Sequence, residues 1–308
     1  MSIYTLSHAA GQMVRRRKGI MNARVEAGGR TRTFVVVGEA DEPAGRPLVL
    51  VFHGSKQTGE SHRRFTGRAL DSLAAEGRAV VAYLDGYRSN WNDARVQSSF
   101  PARKENVDDI AFAREVVASV AESHGIDTGS VVAVGFSNGG QMVIRLLHEA
   151  AELLAGAVIV AATMPERENF GAEFSARTDH PVPVTIVAGT ADPIIPFEGG
   201  RMPWWARTVF SIGGRTLSAV ATADYFAQRN GITVEPHRSE PAASAKVPVE
   251  TLAHREAGRP PVTLYVARGG GHTVPGPAAG PRVGRTAEHP GIRDIVSEVL
   301  GELRGSHR

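Results

Sequence analysis

Six short and almost wholly apolar runs alternate along the chain with amphipathic segments. The apolar runs cover 46–52, 77–86, 131–135, 155–163, 182–189 and 261–269. Apolar residues recur at helical spacing within 61–77, 106–124, 138–154, 217–229 and 289–304. Runs without polar alternation are typical of strands that are covered on both faces, as in a parallel sheet. The alternation therefore predicts an α/β fold with a mostly parallel central sheet and helices on both faces.

Two segments fall outside this alternation and predict antiparallel sheet edges. Residues 23–40 hold two β-prone runs around Gly28 and Gly29, which favours a hairpin. The polar segment 233–259 alternates weakly and predicts a second edge hairpin. Because α/β proteins of roughly 200 to 300 residues commonly fold as one unit, we expect a mobile tail over 1–22 and a single domain over 23–308.

Composition narrows the class of protein further. Hydrophobic residues make up 42% and charged residues 22% of the chain, as in an ordinary globular protein. Cysteine is absent, which excludes disulfides, thiolate metal sites and a cysteine nucleophile. The basic run 15–18 lacks aromatic interleaving and predicts a solvated tail rather than a nucleic-acid site. With no visible signal peptide or membrane-spanning run, we expect a cytoplasmic protein without nucleic-acid or membrane partners.

The third apolar run breaks abruptly into a Gly-x-Ser-x-Gly motif. Gly135, Ser137 and Gly139 stand between the predicted strand and a helix-like pattern. In this context the motif predicts a nucleophile elbow, a strained turn that exposes the serine hydroxyl at the carboxyl end of a sheet. Glycines at both flanks would let strand and helix approach closely. The alternative is a plain strand-to-helix turn with an N-capping serine.

Two further polar residues follow apolar runs in an informative order. Asp192 comes after the fifth run and His272 after the sixth, behind Ser137 in the chain. Serine, acid and histidine in this order are typical of α/β hydrolases. A serine hydroxyl needs a base such as His272 within hydrogen-bond reach, and Asp192 would fix the imidazole tautomer. The order predicts Ser137 as nucleophile, Asp192 as acid and His272 as base.

Acyl transfer also needs preorganised donors for the oxyanion of its intermediate. The backbone N–H of Asn138, at the start of the predicted helix, is one candidate. The loop after Gly54 is expected to supply the other, with Ser55 as the best candidate.

Competing candidates for the base and the acid have simpler explanations. His53 also follows an apolar run, but its place before the oxyanion loop favours a structural hydrogen-bonding role. Asp85 ends a run as well, but it precedes Ser137 and so departs from the expected order. Asp108 and Asp109 fall in the first turn of a predicted helix, where negative charge is favourable.

Three tryptophans are candidate substrate contacts. Trp91 lies in a connection longer than a plain loop needs, and it either contacts substrate or anchors the loop to the body. Trp204 and Trp205 stand among glycines in 199–215, which favours a cap or a pocket wall. Neither a cluster with metal-ligand spacing nor an HExxH, P-loop or dinucleotide motif occurs, so we expect no metal and no cofactor.

The chain resembles the polyhydroxybutyrate depolymerase and feruloyl esterase group of the α/β-hydrolase superfamily. Five blocks within about 47–276 carry the resemblance, in family order: FHGSKQTGE, YLDGYRSNWNDAR, GFSNGGQM, GTADPIIPFEGG and GGGHTVPG. The resemblance implies an α/β-hydrolase fold, with Ser137 as nucleophile, Asp192 as acid and His272 as base. It also implies that Ser55 and Asn138 form the oxyanion hole.

Departures from that group bear on the substrate. Val274 stands where family members often carry Trp, and the cysteines of secreted, disulfide-bonded members are missing. No separate polymer-binding domain is visible, so soluble esters or short polyester or feruloyl-type substrates are expected. The predicted function is a serine carboxylic ester hydrolase that works through an acyl-enzyme. Amide or lactone hydrolysis, acyl transfer, and a binding protein on a hydrolase scaffold remain alternatives.

Overall fold

The computed structural model describes residues 16–17, 19–40, 42–171, 178–240, 245–277 and 283–306. The strands are β1 (Arg16–Arg17), β2 (Ile20–Ala27), β3 (Arg30–Val37), β4 (Leu48–Phe52), β5 (Val80–Leu84), β6 (Val131–Phe136), β7 (Gly156–Val160), β8 (Val184–Gly189), β9 (Gly200–Arg201), β10 (Arg215–Thr216), β11 (His237–Ser239), β12 (Val249–His254) and β13 (Val262–Ala267). The α-helices are α1 (Gly59–Phe65), α2 (Asp71–Ala75), α3 (Pro101–Lys104), α4 (Asp109–His124), α5 (Asn138–Glu149), α6 (Trp204–Phe210), α7 (Ala219–Arg229) and α8 (Ile292–Ser306).

Within these ranges, eleven strands form one sheet in the order β1-β2-β3-β5-β4-β6-β7-β8-β13-β12-β11. The stretch from β5 to β13 in this order is parallel throughout. Its six strands are the six apolar runs of the sequence, so the predicted parallel centre of the sheet is confirmed. Parallel strands place their carboxyl ends at one edge, where ligands bind in open α/β sheets.

Antiparallel strands form both edges of the sheet, as the two irregular segments predict. β2 and β3 make the first hairpin, and β11 and β12 extend the other edge beyond β13. Residues 16–17 and 20–22 already take part in the first edge, where Ile20 pairs with Val37. The expected tail over 1–22 is therefore too long, since hairpin pairing begins earlier. Its first fifteen residues lie outside the described part of the chain.

Helices cover both faces of the sheet because every central strand is apolar on both sides. Leu48, Leu50 and Phe52 of β4 face a core shared with α4, α5 and α7. Val49 and Val51 of the same strand face a second core shared with α2 and α8. All five side chains are buried, and full burial of such a side chain contributes about 1.5–3 kcal/mol. This two-sided packing fixes the strand ends that carry the chemistry.

The segment 61–77, predicted as one helix, is instead two short helices. α1 ends before a turn at Gly67 and Arg68, whose φ angles are 63° and 59°. Two consecutive left-handed residues cannot continue a right-handed helix. A new helix, α2, begins at Asp71 and ends at Ala75, shortly before Gly77, whose φ is 64°. The helical spacing of apolar residues continues across this turn, so the sequence pattern predicts a single helix.

A small substructure stands over the carboxyl edge of the sheet between β8 and α7. We call residues 199–216 the cap segment; it consists of the paired strands β9 and β10 with α6 between them. The cap segment has a buried apolar cluster of its own with neighbouring loops, made of Phe100, Ile194, Ile195, Met202, Ala206 and Ile212. No helix within the described ranges is long and apolar enough to cross a membrane.

Candidate active site

Ser137 occupies the sharp turn between β6 and α5. Its φ and ψ are 54° and −113°, an unfavourable combination for a residue with a side chain. The flanking glycines permit it: a Cβ on Gly139 would lie 2.0 Å from the carbonyl oxygen of Phe52, and one on Gly135 would lie 2.2 Å from that of Gly139. The Ser137 side chain makes no capping hydrogen bond to α5. The hydroxyl is therefore available for another partner.

The structure brings Ser137, His272 and Asp192 into one hydrogen-bonded chain. The distance from His272 Nε2 to Ser137 Oγ is 2.9 Å, and that from His272 Nδ1 to Asp192 Oδ2 is 2.7 Å. Because a carboxylate only accepts, the Nδ1 proton faces Asp192 and the lone pair on Nε2 faces the serine hydroxyl. This tautomer is the one in which His272 can take a proton from Ser137.

Asp192 is held in place by the chain immediately after it. Its Oδ1 accepts hydrogen bonds from the backbone N–H groups of Ile194 at 2.7 Å and Ile195 at 2.9 Å. The other oxygen, Oδ2, is thereby left for His272. The side chain of Asp192 is only 2% exposed, so little water competes for the carboxylate. This arrangement fixes the imidazole against rotation.

The loops that carry Asp192 and His272 are tied to each other and to a later segment. Thr190 Oγ1 accepts from Gly269 N at 2.8 Å, and Ala191 N donates to Gly270 O at 2.9 Å. His272 N in turn donates to Val283 O at 2.8 Å. These supports are missing from the sequence prediction, since nothing in the local pattern marks 283–287 as a partner of the histidine loop.

Ser55 and Asn138, the predicted oxyanion donors, line the same pocket as Ser137. Asn138 is the first residue of α5, where backbone N–H groups have no intrahelical acceptor and carry the positive end of the helix dipole. The Ser55 loop is shaped by Gln57, whose Oε1 accepts from Gly54 N at 3.1 Å and faces His62 Nδ1 at 3.0 Å. The pocket thus places two candidate backbone donors near the serine.

His53 and Asp85 have structural roles away from the serine. His53 Nδ1 lies 2.7 Å from Gly54 O, and Nε2 accepts from Gly86 N at 2.8 Å. Burial lowers the pKa of His53 to about 4, so the ring is neutral at pH 7. Asp85 accepts from Gly59 N and from the Thr33 hydroxyl. Both side chains fasten loops at the strand ends.

The side chain of Asn138 joins the elbow to the loop after β5. Its Oδ1 accepts from Trp91 N at 2.9 Å, and its Nδ2 donates to Asp93 Oδ2 at 2.6 Å. Asp93 also binds the guanidinium of Arg95 through two nitrogens. Asp93 is fully buried and Arg95 is 4% exposed, so water has little access to this network. The Asn of the elbow motif and the Trp-Asn-Asp block therefore belong to one structural unit.

Trp91 does not contact substrate as one interpretation expected. It is fully buried, its Nε1 donates to His53 O at 2.9 Å, and its ring packs edge-on against Phe52 with centroids 5.1 Å apart. The expectation of a substrate contact is wrong for this residue, because its side chain is enclosed by the body of the protein. Its role is to anchor the loop.

The two aspartates of the α4 amino end differ in their roles. Asp108 accepts from Ala111 N and caps the helix, as charge at a helix start predicts. Asp109 is fully buried, where it pairs with Arg32 and accepts from Asn92 N at 2.7 Å. It thus fastens the same loop that carries Trp91, a role that the sequence pattern did not indicate.

The pocket at Ser137 is mainly apolar. It is lined by Ser55, Arg95, Phe100, Ser137, Asn138, Ile194, Ile195, Met202, Phe210 and Ile212. The cap segment contributes Met202, Phe210 and Ile212, so its prediction as a pocket wall agrees with the structure. Trp204 and Trp205 are 73% and 38% exposed and lie outside this lining. Neighbouring positions of the cap segment turn inward instead, and a substrate contact by either tryptophan stays a prediction.

Within the described ranges, no three His, Asp or Glu side chains lie close enough together to hold a metal ion.

Sequence comparisons identify relatives of this chain among known proteins. A family model described as Phospholipase/Carboxylesterase matches residues 75–204. A protein of Nocardia uniformis subsp. tsuyamanensis named "Putative esterase NocK" is 32% identical, over 82% of this chain and 73% of its own length. The chain belongs to the esterase family of the α/β hydrolases. The α/β-hydrolase esterase family predicted from the five sequence blocks is thereby confirmed, and the polyhydroxybutyrate depolymerase group within it stays a prediction.

Two further esterases match this chain at lower sequence identity. Feruloyl esterase B of Piromyces equi is 24% identical over 73% of this chain, a match that spans 39% of that protein. An acetyl xylan esterase from Aspergillus awamori superposes with a TM-score of 0.59 at 13% identity, over 88% of this esterase and 94% of its own chain. At that identity the likeness shows the α/β-hydrolase fold alone.

Proposed function

We propose that this esterase hydrolyses carboxylic esters through an acyl-enzyme on Ser137. The observation that carries the proposal is the unbroken chain from Asp192 through His272 to the Ser137 hydroxyl, with contacts of 2.7 and 2.9 Å. Each contact lies within normal hydrogen-bond range, and the chain ends on a serine at a strained elbow. This arrangement activates a serine that would otherwise be a poor nucleophile at neutral pH.

In the first half-reaction, Ser137 Oγ attacks the ester carbonyl carbon while His272 Nε2 takes the hydroxyl proton. The resulting imidazolium is stabilised by Asp192. Collapse of the tetrahedral intermediate breaks the bond to the alcohol, and His272 gives the proton to the departing oxygen. In the second half-reaction His272 takes a proton from water, whose oxygen attacks the acyl group. The acid leaves, and Ser137 regains its proton from His272.

The tetrahedral oxyanion is stabilised by the backbone N–H groups of Asn138 and Ser55. Such donors act strongly because they are fixed before the reaction and lie in an apolar pocket. Loss of one oxyanion donor typically costs about 3 kcal/mol of transition-state stabilisation. The hydrogen bonds of Gln57 and Asn138 therefore matter for rate, since they hold the backbone that presents these donors.

The pocket at Ser137 is narrow, because side chains of the cap segment and of Ile194 and Ile195 close in on it. This shape favours a small acyl group. Within the expected range of soluble, short polyester or feruloyl-type esters, we infer that short-chain acyl esters are preferred. The names of the relatives, which include feruloyl and acetyl xylan esterases, support esters as the substrate class.

The decisive test is a Ser137→Ala variant with 4-nitrophenyl acetate as substrate. We expect kcat to fall by roughly 10⁴-fold or more, because loss of a serine nucleophile removes the whole covalent route. Thermal unfolding should remain close to that of the original protein, since the hydroxyl makes no structural capping bond. Turnover retained by this variant would refute the proposal.

Covalent labelling provides an independent check on the same residue. A fluorophosphonate should form an adduct on Ser137 in the original protein, and the adduct should be absent from Ser137→Ala. A protein that only binds ligands on a hydrolase scaffold would show no adduct at all, which is how labelling separates the two functions.

A further inference from the structure

Arg95 is the one charged residue among the ten that line the pocket at Ser137. It is 4% exposed, and the side chains around it from Phe100, Ile194 and Met202 are apolar and buried. Long charged side chains are seldom buried without a specific partner. Arg95 and Ser137 line the same pocket, so the hydrogen bonds of each guanidinium nitrogen bear on what the pocket can bind.

Two of the three guanidinium nitrogens are used within the protein. Nε donates to Asp93 Oδ1 at 3.1 Å, and Nη2 donates to Asp93 Oδ2. The backbone N–H of Arg95 also donates to Asp93 Oδ1, at 2.9 Å. Nη1 has no hydrogen-bond partner among the described residues. A donor is thus left over on a residue that lines the pocket at Ser137.

The position of this donor is fixed from both sides. The neighbouring backbone bonds run from Ala94 N to Gln141 O at 3.3 Å and from Val96 N to Asn169 O at 2.8 Å. Asp93 is held in turn by Asn138. Because the guanidinium is already ordered, a ligand that accepts from Nη1 would lose little binding energy to side-chain ordering.

The charge balance of the network favours a neutral acceptor. Asp93 is fully buried and compensates the charge of Arg95. A substrate carboxylate would enter an apolar pocket with no net countercharge left to offset its desolvation. A hydroxyl, ether or carbonyl oxygen has a much smaller desolvation cost, and its hydrogen bond to a charged donor is strong in such surroundings.

We propose that Arg95 determines specificity by donating a hydrogen bond from Nη1 to a neutral oxygen atom of the substrate, outside the ester group itself. The proposal rests on the proposed function, because the pocket binds substrate only if Ser137 is the nucleophile. It assigns to the pocket a preference for esters with an additional oxygen in a short acyl or alcohol chain.

Two pairs of esters test the acyl and the alcohol side separately. Ethyl glycolate and ethyl propanoate differ by a hydroxyl in place of a methyl group in the acyl chain. 2-Methoxyethyl acetate and butyl acetate differ by an ether oxygen in place of a methylene in the alcohol. For each pair, kcat/KM is measured by acid release, and the value for the oxygen-bearing ester is divided by the value for its partner. This ratio is then divided by the same ratio of the hydroxide-catalysed rates. The corrected ratio reports recognition of the oxygen.

Two variants remove the donor without leaving a buried charge unpaired. Arg95→Lys keeps a positive charge for Asp93, but its single nitrogen cannot bind Asp93 and also reach the pocket as Nη1 does. The double variant Asp93→Asn with Arg95→Met removes both charges and keeps an oxygen acceptor for Asn138 Nδ2. In at least one pair, we expect the corrected ratio to fall by about tenfold in both variants, as for a hydrogen bond to a charged group.

The outcomes separate this inference from the proposed function. A wild-type protein without a corrected preference for the oxygen-bearing ester in either pair would overturn the role of Arg95, even if neither variant folds. Ratios that stay within about twofold of wild type in folded variants would also overturn it. Hydrolysis that persists in Ser137→Ala would instead refute the proposed function, since the substrates would then react elsewhere.

Discussion

Asn138 shows how one residue can serve the active site through both its backbone and its side chain. Its backbone N–H is the proposed oxyanion donor, while its amide holds Trp91 N and Asp93 in the adjoining loop. The side chain is 2% exposed, so these hydrogen bonds have little competition from water. Elbow and loop therefore keep a fixed relation at the place where the oxyanion would form.

Removal of this amide should destabilise the fold in a graded way. Asn138→Ala leaves the Trp91 N–H without its acceptor and removes one of the donors to Asp93, and we expect the free energy of unfolding to fall by about 1–3 kcal/mol. Asn138→Asp should cost more, because it sets a second carboxylate against buried Asp93. Urea denaturation measures both values. Asn22→Ala, at an exposed strand position, is the control and should stay within about 0.5 kcal/mol of wild type.

An Asn138→Asp variant as stable as wild type would contradict this account of the network.

The backbone position of Asn138 was predictable, since it follows from a local strand-turn-helix pattern. The role of its side chain was not, because its partners lie 47 and 45 residues away in the chain. Hydrogen bonds across that separation leave no periodic signal in a single sequence.

At the scale of elements, the active site depends on loops that follow neighbouring parallel strands. β8 and β13 pair directly, so the loops with Asp192 and His272 begin side by side. This proximity was predictable because carboxyl ends of parallel strands share one edge of a sheet. The hydrogen bonds that align the two loops were not predictable, since they involve the Thr190 side chain and the distant residue Val283.

The hydrogen bond from Gly269 N to Thr190 Oγ1 can be tested with two matched variants. Thr190→Val has nearly the same shape but no acceptor, so Gly269 N–H loses its partner. We expect kcat to fall roughly tenfold, because small displacements of catalytic groups are costly, and stability to fall by about 1 kcal/mol. Thr190→Ser keeps the oxygen and should retain most of the activity. Kinetics with 4-nitrophenyl acetate measure the difference.

If Thr190→Val had the kcat of wild type, the hydrogen bond would have no part in aligning His272 with Asp192.

The sequence prediction differs from the structure in two places. The helix predicted over 61–77 is interrupted by left-handed residues at Gly67 and Arg68, which apolar spacing does not register. The sequence did not indicate that Met202 and Phe210 line the pocket, because packing of the cap segment against distant loops decides which of its positions turn inward.

At the scale of the whole molecule, burial keeps three histidines outside the proposed triad neutral at pH 7: His53 and His62, which are buried, and His148, which is half-buried. Burial is the main cause that lowers the pKa of His53 to about 4 and those of His62 and His148 to about 3. The positive charge of Arg229 adds to the effect at His148, and His53 adds to it at His62. His53 and His62 both adjoin the loop at Gly54 and Gln57, whereas His148 lies on α5. Global unfolding exposes all three rings to water and lets them bind protons.

The sign of the resulting pH dependence follows from proton binding. Below the unfolded pKa of 6.5, the unfolded chain binds protons that the folded protein excludes down to about pH 4 at His53 and about pH 3 at the other two. The contribution of these histidines to stability is therefore complete above pH 6.5. It decreases as the pH falls, by about 1.4 kcal/mol per pH unit for each histidine.

His148→Gln should make this pH dependence shallower. His148 lies 2.7 Å from Ile144 O and 2.8 Å from the Tyr225 hydroxyl, and glutamine can hydrogen-bond there without titrating. Between pH 6 and 4.5 we expect the slope of unfolding free energy against pH to decrease by about one proton, or about 1.4 kcal/mol per pH unit. His237→Gln, at an exposed position, should leave the slope unchanged. Urea denaturation across this range measures both, and equal slopes for His148→Gln and wild type would show that His148 is protonated in the folded protein.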